Sequence, residues 1–133
     1  MSDQNPFEAM MKLGQDWAKS MNIDADAFTA KGFEKLWPTM PKETMEMFFG
    51  KGINPDGLDA KTRLLLTLAA LTVLGAQAEA QIRLTIRHLV EADATKQEIA
   101  EAIAQMGMFA GVPAMTKAME LANDVLDEKD EAE

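Results

Sequence analysis

The chain has 133 residues, no cysteine, a single histidine and a formal net charge of −9. That length suits one domain with a sizeable core, and a cysteine-free chain excludes disulfides, thiolate nucleophiles and Cys-ligated zinc or iron–sulfur centres. An acidic balance without a basic stripe argues against nucleic acid and against anionic membrane surfaces as partners. Hydrophobic residues make up 47% and charged residues 26%, a globular balance. Ala, Leu and Met are abundant and β-branched runs are missing, so the fold class expected is all-α. The first residues lack a basic segment leading into an apolar one, so no signal peptide is expected and the location expected is cytoplasmic.

Asn5-Pro6 has the form of a helix start, with Asn as cap and Pro at the first helical position. Phe7, Met10, Met11, Gly14, Trp17 and Ala18 then recur at helical spacing to about Ser20. Two uses fit this amphipathic helix. It packs on its own core, or it is an arm that docks on a neighbouring subunit. Asp24 caps a second expected helix, Ala25 to Leu36, which Pro38 ends. Pro41 starts a short third, Lys42 to Phe49, followed by a loop rich in Gly, Asn and Pro. Trp37, Met40, Met45, Phe48 and Phe49 are expected in a core or an interface.

Asp59 caps the next helix, whose block Leu64 to Leu74 is apolar nearly all round. That pattern places it at the centre of a bundle. The block is about a dozen residues, short of the roughly 18 that span a bilayer. Gly75 predicts a turn before a helix over Glu79 to Glu91. On that helix Ile82, Ile86, Leu89 and Val90 form an apolar arc. Glu79, Arg83, Arg87 and Glu91 follow at i, i+4 spacing, the favourable order for ion pairs. Gln81, Thr85 and His88 lie along the other edge of the arc. Thr95-Lys96-Gln97-Glu98 is a capping box for a helix burying Ile99, Ile103 and Met106. Gly111 ends it and Pro113 opens the last helix. Residues 124–133 hold six acids and one lysine, a pattern expected of a solvated, frayed tail.

Four pieces carry a family resemblance: Lys61-Thr62-Arg63-Leu64-Leu65-Leu66-Thr67-Leu68-Ala69, then Glu79, Arg83 and His88, then Ala94 to Ile103, then Ala110-Gly111-Val112-Pro113-Ala114. Together they resemble the carboxymuconolactone decarboxylase family, whose fold is shared with alkyl hydroperoxidase D. The resemblance runs from about Leu58 to Ala122, leaves residues 1–57 as loosely matched N-terminal helices, and implies one domain over 1–133. It implies a bundle of six to seven helices assembling with itself as a trimer or hexamer. It also implies a pocket beside the central helix pair, near a subunit contact.

The family's redox branch carries Cys-x-x-Cys-x-x-x-His. With His88 in the histidine's place, Gln81 and Leu84 stand where the cysteines would be. A family label of peroxiredoxin activity is therefore unsupported by these residues. The decarboxylase branch needs no cysteine and resembles the Leu-Leu-Thr-Leu-Ala run and Leu74-Gly75 more closely. Its histidine falls, by register, at Thr85.

The resemblance implies a cofactor-independent lyase acting on a small carboxylated lactone or related acid. Such an enzyme must hold carboxylates, stabilise a developing oxyanion and supply a proton. Arg83, Arg87 and Arg63 are the candidates to grip carboxylates, because the planar guanidinium binds them in two-pronged fashion. His88 is the candidate acid or base. Thr85 and Gln81 are candidate donors to the oxyanion, with Glu79 beside the substrate. No metal is expected, since a lone histidine without cysteine cannot make a transition-metal site. A plainer reading stands beside this one. His88 is then a structural residue, Arg83 and Arg87 serve the ion-pair ladder, and the protein is a catalytically inactive family member that binds or assembles.

Overall fold

A computed structural model of the chain describes residues 5–20 and 37–132. Six α-helices cover them: α1 (Pro6–Ser20), α2 (Lys42–Phe49), α3 (Ala60–Val73), α4 (Glu79–Glu91), α5 (Lys96–Ala110) and α6 (Val112–Ala132). No strand occurs among the described residues, so the class is all-α. The helix expected over Ala25 to Leu36 lies outside the described residues.

Local chemistry fixes most boundaries. Asn5 Oδ1 accepts from Phe7 N at 3.0 Å and starts α1. Asp59 Oδ1 accepts from Thr62 N at 2.9 Å and caps α3. The capping box of α5 is complete: Thr95 Oγ1 accepts from Glu98 N at 3.0 Å, and Glu98 Oε1 accepts from Thr95 N at 2.9 Å. Between α3 and α4 the chain reverses through positive φ at Gly75 (97°) and Ala76 (56°). Glycine meets the first of these without steric cost. Gly111, at φ 89°, separates α5 from α6.

α3 is the hub, packing against α2, α4, α5 and α6. The core joins Leu64 and Leu68 of α3 to Ile82, Ile86 and Leu89 of α4, Ile99 and Ile103 of α5, and Val125 of α6. Met45 of α2 is also fully buried. Each such side chain contributes about 1.5–3 kcal/mol through its removal from water.

Two expectations change on this structure, and a third divides by residue. The apolar helix α3 is central but not enclosed: Ala60, Leu64, Leu68 and Thr72 are buried, whereas Leu66, Val73 and the following Leu74 are exposed. Its composition said that both sides are apolar, not that one chain covers both. Of the residues expected in a core or interface, Met45 is buried, while Trp37, Met40, Phe48 and Phe49 are exposed to differing degrees. The acidic end is not a frayed tail either, because α6 runs to Ala132 and uses its acids. Asp124 and Glu128 meet Arg83, Asp130 meets Lys96 at 2.6 Å, and Lys129 meets Glu91 at 3.6 Å.

Candidate functional site

The helix pair α3–α4 presents the candidate residues. Arg83 is the most constrained of them. Its side chain is 3% exposed. Nη1 donates to Asp124 Oδ2 at 2.5 Å, and Nη2 donates to Glu128 Oε1 and Oε2 at 3.1 and 3.0 Å. Asp124 and Glu128 are one turn apart on α6, so one guanidinium clamps two successive acids. Arg87 leans on the same Glu128, at 3.9 Å. Glu79 faces Lys117 of α6 at 3.9 Å. The charged side of α4 thus cross-links two helices. An α4-only ladder, as the spacing suggested, leaves out these partners.

His88 sits on the opposite flank, half-buried. Its Nε2 accepts from the backbone N–H of Met40 at 3.2 Å, and Nδ1 lies 2.8 Å from Leu84 O. With Nε2 accepting, Nδ1 is the nitrogen placed to donate to the Leu84 carbonyl. The imidazole therefore pins the segment before α2 onto α4. Thr85, buried, donates from Oγ1 to Gln81 O at 2.7 Å, an i−4 bond within its own helix. The Gln81 side chain is exposed. Arg63 stands apart on α3, where Nε donates to Leu58 O at 3.1 Å.

Cavities lie elsewhere: one of about 590 Å³ is lined by Met10, Leu13, Gly14, Asp16, Trp17 and Ser20 of α1, and two more lie on the bundle. The first of these two, of about 380 Å³, is lined by Lys42, Glu46, Lys51, Asp59, Lys61 and Asp93. Its charges are largely matched. Lys42 pairs with Asp93 at 2.5 Å, and Lys61 with Glu98 at 3.0 Å. Glu46 Oε1 accepts from the backbone of Lys51 and Ala60, so a carboxylate already occupies the start of α3. A Cβ on Gly50 would lie 2.0 Å from that oxygen, which explains the glycine there. The hydroxyl and then the N–H of Thr62 hold the Asp59 carboxyl below the ordinary carboxylate range. The Thr95 N–H and then Lys61 do the same for Glu98, and the bond to Asp93 raises Lys42. The second cavity, about 360 Å³, is a largely apolar groove between α3 and α5. Neither cavity is lined by His88, Arg83, Thr85, Gln81, Glu79, Arg87 or Arg63.

Sequence reasoning missed Asp124 and Glu128, the partners of Arg83. Their i, i+4 spacing on the last helix was the available signal, but it was absorbed into the reading of an acidic tail.

These features define an all-α bundle whose polar candidates largely serve its own cross-links, without thiol chemistry. The chain belongs to the carboxymuconolactone decarboxylase family, which it matches over residues 38–124. That match starts before Leu58 and takes in α2 and the Met40 segment held by His88. The chain is 52% identical over 128 residues to an uncharacterized 15.0 kDa protein in the nqo9-nqo10 intergenic region of Paracoccus denitrificans, covering 96% of each. It is 38% identical over 69 residues to a 4-carboxymuconolactone decarboxylase of Acinetobacter baylyi, covering 52% of this chain and 50% of that one. To nitrosuccinic acid decarboxylase npaB of Metarhizium robertsii it is 29% identical over 119 residues, 86% of this chain and 76% of the other. No helix among the described residues is long and apolar enough to cross a membrane.

Proposed function

We propose that this chain is a binding and assembly member of the family that uses the decarboxylase-like scaffold without its lyase chemistry. The observation that carries the reading is Arg83. The residue best suited to grip a substrate carboxylate is 3% exposed and already holds two carboxylates of its own chain. Replacing them with a substrate would leave Asp124 and Glu128 without their cation. His88 and Thr85 support the same reading, because their polar atoms are bonded to backbone. Self-assembly, as a trimer or hexamer, would cover the apolar side chains the single chain leaves in water.

The test is incubation with 4-carboxymuconolactone and, separately, nitrosuccinic acid, following the ultraviolet signal and carbon dioxide release. The reading expects rates no higher than without protein, from a preparation whose oligomer is intact. Turnover above that background overturns it.

One second reading has its own support. Two relatives carry decarboxylase names, and the 380 Å³ cavity presents Lys42, Lys51 and Lys61. On that reading the protein is a cofactor-independent lyase on a small carboxylated acid or lactone. Lys51→Ala, which removes a cation lining that cavity, would then lower turnover without changing the oligomer's mass.

A further inference from the structure

We propose that the apolar face of α1 seats in the α3–α5 groove of a second copy, so that copies link head to tail. The inference rests on the assembly reading and adds which two surfaces meet.

The donor is α1. Phe7, Met10, Met11, Leu13 and Trp17 are 61–77% exposed. A helix of 15 residues with its apolar face in water is marginal by itself, so its stability calls for a cover. Gly14 lies in the middle of the face, and nothing stands within 4 Å of where its Cβ would be. It leaves a notch through which a facing element comes close to the backbone.

The receptor is the groove between α3 and α5. Leu65, Leu66, Ala69, Ala102 and Met106 line it, and Leu66 is 57% exposed. The two helices run side by side in one direction, with Lys61 and Glu98 paired at their starts. Continuing each lining row by one turn reaches Val73 and Phe109, both exposed. The apolar rows therefore extend about 12 Å on α3 (Leu65 to Val73) and about 11 Å on α5 (Ala102 to Phe109), beside about 15 Å for the apolar face from Phe7 to Trp17, at about 1.5 Å per residue.

Size and charge agree with a second copy as the occupant. The five α1 side chains offer roughly 600 Å² of apolar surface, or about 1,200 Å² counting both sides, the lower limit of a specific interface. α1 balances Glu8 and Asp16 against Lys12 and Lys19, whereas the chain as a whole carries −9. Its approach to another acidic copy adds no net like-charge repulsion. The α1 face and Leu66 of the groove are exposed, while Leu65, Ala69, Ala102 and Met106 are half-buried along its floor and walls. A helix face meeting a groove is a contact between unlike surfaces, which builds a ring of identical chains where the rotation between copies closes and an open filament where it does not.

The native chain has no cysteine, so single-cysteine variants report on one position each. Gly14→Cys and Ala69→Cys chains are mixed, oxidised and resolved by mass. The expected product is a covalent dimer containing one of each. A dimer of Gly14→Cys chains alone overturns the proposal in favour of α1 pairing with α1. A Gly14→Cys/Ala69→Cys double variant that closes within one chain overturns it in favour of an arm folded on its own body. A second measurement separates this inference from the reading beneath it. Met10→Glu/Trp17→Glu, at positions already exposed, is expected to lower the mass by light scattering with helix content kept. An unchanged oligomer overturns the groove contact and leaves assembly standing; a monomeric wild type overturns both.

Discussion

The α4–α6 seam and the α1 arm are opposites. At the seam a guanidinium is 3% exposed between two carboxylates, while on the arm Phe7 is 77% exposed and Trp17 62%. Burial usually sorts residues the other way. The contrast teaches that this bundle spends its polar candidates on holding itself together and directs apolar surface outward. α3 shows the same division within one helix, since Leu68 is fully buried and Leu66, two residues away, is 57% exposed.

The sharpest way to break the comparison is on α3. Leu68→Ala is expected to cost about 3 kcal/mol in chemical denaturation, because it opens a cavity among α4, α5 and α6 side chains. Leu66→Ala is expected to stay within about 0.5 kcal/mol for the single chain. Equal losses would mean that the exposed face is covered within the chain.

Arg83→Ala comes next, with an expected loss of about 2–3 kcal/mol. The lower end applies because Asp124 is 56% exposed and regains water once its partner is gone. A loss below about 0.5 kcal/mol in the same measurement would return Arg83 to the list of groups free to bind a ligand.

His88→Ala is expected to cost about 1 kcal/mol and to speed hydrogen exchange at the Met40 amide, which loses its acceptor. Unchanged exchange there would remove the imidazole from its pinning role.

Asp59→Asn probes the smallest effect and gives a sign. Hydrogen bonds from Thr62 keep the folded carboxyl below its ordinary value near 3.8. Its contribution is therefore present above about pH 4 and is lost as pH falls through the folded value. The stability gap between wild type and Asp59→Asn, at most about 1 kcal/mol at pH 7, should narrow on acidification. A gap that widens toward pH 3 would contradict the assignment.

Helix boundaries were legible because their causes are local. Asp59 and Thr62 lie three residues apart, Thr95 and Glu98 likewise, and Gly75 and Gly111 mark reversals by themselves. The site was less legible because its partners are distant. Arg83 and Asp124 are 41 residues apart, and His88 bonds a backbone amide 48 residues away. A main-chain partner leaves no trace in side-chain pattern. The acids of α6 were misjudged for a related reason: composition reports charge but not whether a cation waits across the bundle. Family membership was legible, since it rests on motifs that lie within α3 to α6.

The central claim is that other copies cover what one chain leaves exposed. Its most direct test is the mass of the unmodified protein by light scattering at micromolar concentration. The account predicts a whole-number multiple of 14.6 kDa, two or greater. A single species at 14.6 kDa would contradict it.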